Sequence, residues 1–494
     1  MIDVTDTGDP RDRGEPSAAI ASSPAPKPAA HQAAVARLQA AYAAIPPGRP
    51  IRLAKRTSNL FRFREAAGAR TDPGDGVSAA RGAPGLDVSA FGRVLSVDPQ
   101  SRTAVTGGMT TYEDLADATL RHGLMPLVVP QLKTITIGGA VTGLGIESSS
   151  LRSGMPHESV IEMEILTGDG RVVTAAPGNE HDALYRGFPN SYGTLGYALS
   201  LTIELEPVTP YVHLRHFRFS TPEDCMDAVA TIAAEGSLHG HRADFVDGTA
   251  FSLDEMYLTV GSFSEVAPWL SDYTRERVYY QSIRGPHEDF LTIRDYLWRW
   301  DTDWFWCSRA FGVQNPRLRR LWPRRYRRSD VYHKLVSLDR RYRLTATMDK
   351  KRQVPARESV IQDVEIPVER GADFLRYFAA NVGMSPVWMC PLRVRGARAR
   401  PWPLWPLEAG DVYVNFGFWG MVPLPAGEPD GYYNRLVEDE VAKLDGHKSL
   451  YSTAFYPENE FYQRYDGASY HALKRAYDGE GRLLSLYEKC VLGR

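Results

Sequence analysis

Residues 127–150 read LVVPQLKTITIGGAVTGLGIESSS, and no other stretch constrains the chain as strongly. An apolar run leads in. Four glycines (Gly138, Gly139, Gly143 and Gly145) then fall within eight residues, and the hydroxyls of Ser148, Ser149 and Ser150 follow. Glycine admits positive φ and lets another group approach the main chain closely. Successive free N–H groups in such turns form a concave anion site. The pattern therefore predicts a loop that holds a phosphate-bearing cofactor against bare backbone. Tight turns in a β-rich domain would give the same spacing.

The 494 residues suffice for two or three domains with a large core. A net charge of −2 gives no bulk attraction for nucleic acid. Cys225, Cys307, Cys390 and Cys490 form no CxxC and no Cys–His cluster, so neither a metal site nor a disulfide framework is expected. A reducing, cytoplasmic setting follows. The first 45 residues are rich in Ala, Pro and Ser and lack the basic start and apolar run of a signal peptide. No window approaches 18 continuous apolar residues, so no transmembrane helix is expected.

Residues 1–30 are short on bulky apolar groups and read as disordered, and 31–44 fit a helix. Val94–Val97 and Thr103–Thr106 flank DPQS as one hairpin, and Val160–Leu166 and Arg171–Thr174 flank GDG as another. Thr110 with Glu113 predicts a capping box for a helix ending at Gly123. Leu195–Leu205 alternates as a half-buried strand, and Pro207 and Pro210 mark a boundary. Beyond it, strands are predicted at Tyr211–Ser220, Asp254–Ser262, Ser359–Pro367, Val387–Val394 and Val412–Trp419, with helices at Pro222–Glu235 and Arg370–Asn381. That rhythm suits an α+β domain.

Residues 293–334 interrupt the rhythm. They hold five of the ten tryptophans (Trp298, Trp300, Trp304, Trp306 and Trp322), and residues 317–328 carry seven arginines and no acid. Aromatics beside a basic run suit a lipid–water interface. A solvated basic loop with its tryptophans packed inward is the competing reading.

Several segments carry a family resemblance: ITIGGAVTGLGIESSS, HESV (157–160), LTGDG (166–170), NSYGTLGYALSLTIEL (190–205), KRTSNLFRFR (55–64), residues 108–132 and the tail at 449–474. Together they resemble the FAD domain of the vanillyl-alcohol-oxidase/p-cresol-methylhydroxylase superfamily, and more narrowly the sterol Δ24-reductase group. The resemblance implies an α+β fold, with a PCMH-type FAD-binding domain of two α+β subdomains at 46–208 and an α+β cap (substrate) domain at 209–440. It further implies a segment at 441–494 that returns to the FAD domain, behind an N-terminal extension at 1–45. Members of that group usually carry an N-terminal membrane segment, which this sequence is not expected to have.

The resemblance places a first phosphate loop at Lys55, Arg56, Thr57, Ser58 and Asn59. It places a second at Ile137–Gly143, with Thr136 ahead of it and Ile137, Gly138, Gly139 and Gly143 within it. Ser148 and Ser149 fall near the adenine–ribose or pyrophosphate arm, and Val160 and Ile161 beside the adenine. His157 falls in the same neighbourhood as a structural or phosphate-facing residue. Neither loop contains the His or Cys that tethers flavin in some members, so FAD should be bound noncovalently. Reduction of a C=C bond needs a hydride on one carbon and a proton on the other. Tyr456 and Glu460, in the matching tail, are the candidate proton donors. Trp388, Cys390, Phe416 and Phe418 are candidates to line an apolar substrate slot.

The expected activity is reduction of an isolated C=C in a lipid or sterol-like molecule. NADPH is the expected reductant, and it would reach the flavin through the substrate channel because no GxGxxG opens a helix after a strand. The protein is expected in the cytoplasm, touching the inner membrane face through 293–334. The Ala, Arg and Gly content suits a GC-rich bacterium, so a reductase of methylene-branched fatty acyl chains is one alternative. An oxygen-using alcohol or aldonolactone oxidase on the same scaffold is the other, and it would need a polar pocket.

Overall fold

The computed structural model describes residues 27–54, 85–275, 277–342, 355–395 and 402–493. Two antiparallel sheets organise them. The first runs in the order Val94–Asp98, Thr103–Gly107, Tyr197–Pro207, Val160–Leu166 and Val172–Ala175, with Leu124–Pro126 also pairing to Tyr197–Pro207. Both short hairpins fold as their turn chemistry predicts: the DPQS and GDG residues supply the polar side chains and the positive φ of Gly170. Tyr197–Pro207 is long because it is central, pairing with three neighbours.

The second sheet has eight strands. Their order is Glu288–Thr292, Tyr211–Phe219, Glu255–Ser264, Phe245–Ser252, Val387–Arg393, Val412–Pro423, Arg357–Pro367 and His447–Lys448. Its two faces do different jobs. Helices Pro222–Glu235, Gly371–Asn381 and Tyr432–Lys443 cover one face, burying Val360, Val364, Met389, Phe416 and Phe418. The other face turns towards the first sheet and presents Asp363, Trp388, Cys390, Asn415, Gly417 and Trp419. The helix Pro222–Glu235 begins and ends where predicted. Thr221 accepts the Asp224 N–H, Pro222 fills the first turn, and Gly236 takes φ 67 at its end.

A buried polar network joins the two halves. Arg299 lies 2.9 Å from Asp247 on the second sheet and 3.7 Å from Glu147, just past the glycine-rich stretch. Trp300 Nε1 donates to Asp247 at 2.9 Å, and Gln131 Nε2 donates to Glu147 at 2.9 Å. The C-terminal helices also bind the first half. Lys474 Nζ donates to the Thr194 carbonyl, and Asp169 N–H to the Tyr477 carbonyl.

Three sequence expectations are corrected. The residue that caps the helix after Gly108 is Thr111, which accepts the Asp114 N–H, and the helix is Tyr112–Leu120; Thr110 is buried, its carbonyl held by Ile137 N–H. Residues 137–143 form a helix rather than an open turn, and none of its glycines has positive φ. The strand Phe245–Ser252 was not predicted at all, because Asp247 and Gly248 break its apolar alternation.

Candidate active site

A cavity of about 230 Å³ opens between the two halves. One wall is the glycine helix and its flanks: Thr134, Thr136, Gly139, Ala140, Gly143 and Gly145. The opposite wall is aromatic, made by Trp304, Phe305, Trp388 and Trp419. Phe305 stacks obliquely on Trp419 with ring centroids 4.4 Å apart, and its ring lies 5.4 Å from that of Trp388. Asp363, Tyr451 and Lys489 are among the polar residues that line this space, with Gln131, Thr142 and Tyr192.

The first three each come from a different element. Asp363 alternates with core residues on Arg357–Pro367, so it must face the first sheet. Its carboxylate accepts from Asn415 Nδ2 at 3.2 Å and from the Tyr451 phenol. Burial pushes the Asp363 carboxyl up to about 7, against those two hydrogen bonds. Tyr451 accepts from Trp419 Nε1 at 2.7 Å, and burial raises its phenol well above the usual range. Lys489, on the helix Leu486–Cys490, donates to the Tyr192 carbonyl at 2.6 Å. Cys307 also lines the cavity, but burial pushes its thiol up to about 12, which keeps it from acting as a nucleophile.

The glycines serve close packing. A Cβ at Gly138 would stand 2.7 Å from the Gly108 carbonyl oxygen, and one at Gly145 would stand 2.7 Å from Pro130. Gly139 differs, since a Cβ there meets only the Thr136 hydroxyl, at 2.9 Å. The first amides of the helix are already spent. Ile137 N–H donates to Thr110, Gly138 N–H to Gly108 and Gly139 N–H to the Thr136 hydroxyl. This helix therefore offers a surface of glycines and small side chains rather than an anion nest. Such a surface suits a planar aromatic ring.

The other predicted residues scatter. Lys55, Arg56, Thr57, Ser58 and Asn59 lie outside the described residues. Thr136, Gly139 and Gly143 line the cavity, while Ile137 and Gly138 pack behind it. Ser148 bonds Glu147 and Tyr296, and Ser149 bonds the Leu127 carbonyl, so both hydroxyls are engaged internally. Val160 is buried at the start of its strand, and Ile161 beside it is 41% exposed. His157 is buried edge-on to Trp402 and Trp405, and burial pushes its pKa down to about 3, so the ring is neutral.

Neither proposed proton donor lines the cavity. Tyr456 is buried with its ring 5.0 Å from the Arg464 guanidinium, and Glu460 pairs with the same arginine at 2.7 Å. The tail does reach the cavity, through Tyr451 instead. Of the predicted slot residues only Trp388 lines it. Cys390 is buried in the core between the two sheets, and Phe416 and Phe418 lie on the helix-covered face.

Residues 52–176 match the FAD binding domain family. The chain carries an FAD-binding domain. It is 26% identical to the Δ24-sterol reductase of Mus musculus over 344 residues, 66% of this chain and 62% of the mouse protein. It is 24% identical to the Homo sapiens protein of that name over the same shares. The Δ24-sterol reductase of Arabidopsis thaliana is 25% identical over 444 residues, 83% of this chain and 77% of that one. The matched region thus spans under two thirds of the animal proteins' length. The resemblance to the sterol Δ24-reductase group extends from the FAD-binding domain into the second half of the chain.

The cavity fits the ring end of FAD. Its glycine wall would take one face of the isoalloxazine, the aromatic wall leaves room for an apolar substrate opposite, and Lys489 supplies a cation at the rim. When bound, the flavin supplies hydride.

Proposed function

We propose that the protein is an FAD-dependent oxidoreductase that reduces an isolated C=C bond of a lipid, with NADPH as reductant. One observation carries this reading: a carboxyl–phenol pair, Asp363 and Tyr451, enters a cavity whose one wall is four aromatic rings and whose other is the glycine face of the FAD-binding domain. An alcohol or lactone oxidase would need polar groups along the substrate side, where this cavity presents the rings of Trp304, Phe305, Trp388 and Trp419. A sterol side chain is the substrate favoured by similarity to the Δ24-sterol reductases. The aromatic wall suits a branched alkyl segment with an unactivated double bond. Purified protein given NADPH and a lipid extract should yield products heavier by two hydrogens; an unchanged lipid profile would count against the activity.

FAD should be held noncovalently. Acid precipitation is expected to release all the flavin to the supernatant, and flavin retained in the pellet would point to a tether.

The insertion at 293–334 is also proposed to touch lipid, though not through four of its five tryptophans. Trp298, Trp300, Trp304 and Trp306 are buried, with Trp300 and Arg299 both drawn in by Asp247. Arg327 is buried too, holding the carbonyls of Thr274, Arg275, Arg319 and Trp322, and Arg328 pairs with Glu113 and Asp330. What remains outside is Leu321, 81% exposed, with Leu318, Tyr326, Trp269 and Leu270. Arg317, Arg320, Arg324 and Arg325, in the same stretch of chain as Leu318, Leu321 and Tyr326, are exposed too. Among the described residues no helix is long and apolar enough to cross a membrane. In this reading the protein works in the cytoplasm against the anionic inner leaflet. Arg324→Ser with Arg325→Ser should weaken sedimentation with phosphatidylcholine/phosphatidylglycerol vesicles roughly 30-fold, about 1 kcal/mol per arginine. Unchanged sedimentation would leave these arginines as a solvated surface.

A further inference from the structure

Resting on the reading that the insertion at 293–334 touches lipid, we propose that the groove between residues 269–275 and 320–327 binds the phosphate headgroup of an anionic phospholipid. The groove is open and holds about 1350 Å³. Arg275, Arg277, Arg320, Arg324 and Arg327 line it.

Two buried arginines fix its walls. Arg319 pairs with Asp303 at 2.6 Å and donates to the carbonyls of Tyr273, Arg275 and Arg277 at 2.9, 2.7 and 3.1 Å. Arg327 donates to the carbonyls of Thr274 and Arg275 on one wall and of Arg319 and Trp322 on the other. Residues 273–275 and Arg277 are thereby hung from the insertion. A wall held in this way needs little further ordering when a ligand arrives.

The charge in the groove lacks a counter-ion. Arg327 is 6% exposed, every group it donates to is a neutral carbonyl, and its Nε makes no hydrogen bond. Burial, with the Arg319 cation nearby, lowers its pKa from the usual arginine range. A buried cation without an opposite charge is costly, and an anion in the groove would offset that cost. The acids that line the groove are engaged elsewhere. Asp272 pairs with Arg275 at 2.7 Å and Glu288 with Arg215 at 2.9 Å. Asp289 accepts from the Ser271 and Tyr273 hydroxyls, and Asp295 from the Thr292 hydroxyl. Arg277 and Arg324 are exposed, and among the described residues neither pairs with an acid. A guanidinium fork matches two phosphate oxygens, so these two can close on a phosphate from opposite walls.

The apolar part of the groove selects a lipid over a soluble anion. Trp269 and Leu270 line it and are about half exposed. Leu318 and Leu321 stand exposed on the helix Pro316–Leu321, which leads into the second wall. Inorganic phosphate or a nucleotide would leave these side chains in water. A phospholipid sets its glycerol and first methylenes against them, with tryptophan at headgroup level. The insertion serves both sites. Trp322 lines the groove and packs on the cluster of Trp304 and Tyr332, and Trp304 belongs to the aromatic wall of the cavity.

The test uses dihexanoylphosphatidylglycerol, kept monomeric below its micelle concentration and titrated calorimetrically into FAD-loaded protein. Saturable binding at one site per chain is expected, with inorganic phosphate and dihexanoylphosphatidylcholine at least about 10-fold weaker. Arg277→Ala removes charged hydrogen bonds and should weaken the lipid by about 10-fold or more. Its flavin content and thermal midpoint should stay at wild-type values. Trp269→Ser should weaken the lipid and leave inorganic phosphate unaffected. Lipid affinity that both variants leave at the wild-type value would overturn the site. Equal affinity for inorganic phosphate, or displacement of the lipid by NADP⁺, would make the groove a soluble-anion site and overturn the headgroup assignment. Phosphatidylcholine/phosphatidylglycerol vesicles separate the two claims. Protein that sediments with them yet ignores monomeric lipid would overturn the groove and leave the lipid contact standing. Protein that binds neither would overturn both.

Discussion

Replacing Gly139 by valine is expected to give a folded protein that purifies without flavin. Gly139 sits on the cavity side of the helix Ile137–Gly143. Its φ is negative, and a Cβ there meets only the Thr136 hydroxyl, so the protein itself has room for the first carbon. Displacing that hydroxyl weakens the helix cap by about 1 kcal/mol, and valine returns a few tenths through its better helix propensity. The isopropyl group would instead occupy the plane offered to the cofactor ring. Overpacking costs about 1–3 kcal/mol even where a core can adjust, which is roughly a 5- to 150-fold loss of affinity. A rigid ring against helix backbone adjusts poorly, so the upper end is expected. The flavin-to-protein absorbance ratio and the circular dichroism spectrum read the two effects separately. Full flavin occupancy would show that this surface does not hold the ring. Gly138→Val should behave differently, because its side chain strikes the Gly108 carbonyl and damages the fold first.

Arg299→Met is expected to be the most destabilising single change at the junction. It would leave Asp247 and Glu147 buried with no cation. Removing one partner of a buried ion pair costs about 3–5 kcal/mol. Arg299 also lies flat on Tyr296, with its guanidinium carbon 3.9 Å from the ring centre, so packing is lost as well. The urea midpoint should fall, and adding Glu147→Gln and Asp247→Asn should recover part of it. An unaltered midpoint would mean that the two halves are not held together by this network.

Local chemistry was legible in the sequence and long-range register was not. The hairpin turns and the helix Pro222–Glu235 are set by residues within one turn of their own ends, so reading them needs no partner. The importance of 137–146 was also legible, but its mechanism was misjudged. Glycine was read both as freedom of φ and as close approach to the main chain, and here only the second matters, through the absence of a Cβ. The slot residues show the limit most clearly. Trp388 and Cys390 alternate, and so do Phe416 and Phe418. Only the pairing of Trp388 with Gly417 and of Met389 with Phe416 puts the two pairs on opposite faces. The same pairing lines up Asn415 with Cys390 and, on its other side, Glu365, and so brings Asp363 to Gly417. No spacing in the sequence announces that Asp363 will meet Tyr451, 88 positions later. A lone aspartate in the strand SVIQDVEIP was the available signal: a polar residue where alternation permits either face. The burial of Trp300 was hidden for a related reason, since its buried partner Asp247 lies on a strand with no apolar alternation to reveal it.

The central claim is that electrons pass from FAD to an isolated C=C bond. Enzyme carrying reduced FAD is mixed, without oxygen, with a lipid that bears such a bond, and flavin absorbance and lipid mass are followed together. The oxidised flavin spectrum is predicted to return as the lipid gains two hydrogens, one lipid for each flavin. A spectrum that returns only when oxygen is admitted, with peroxide formed and the lipid unchanged, would contradict the claim and favour an oxidase.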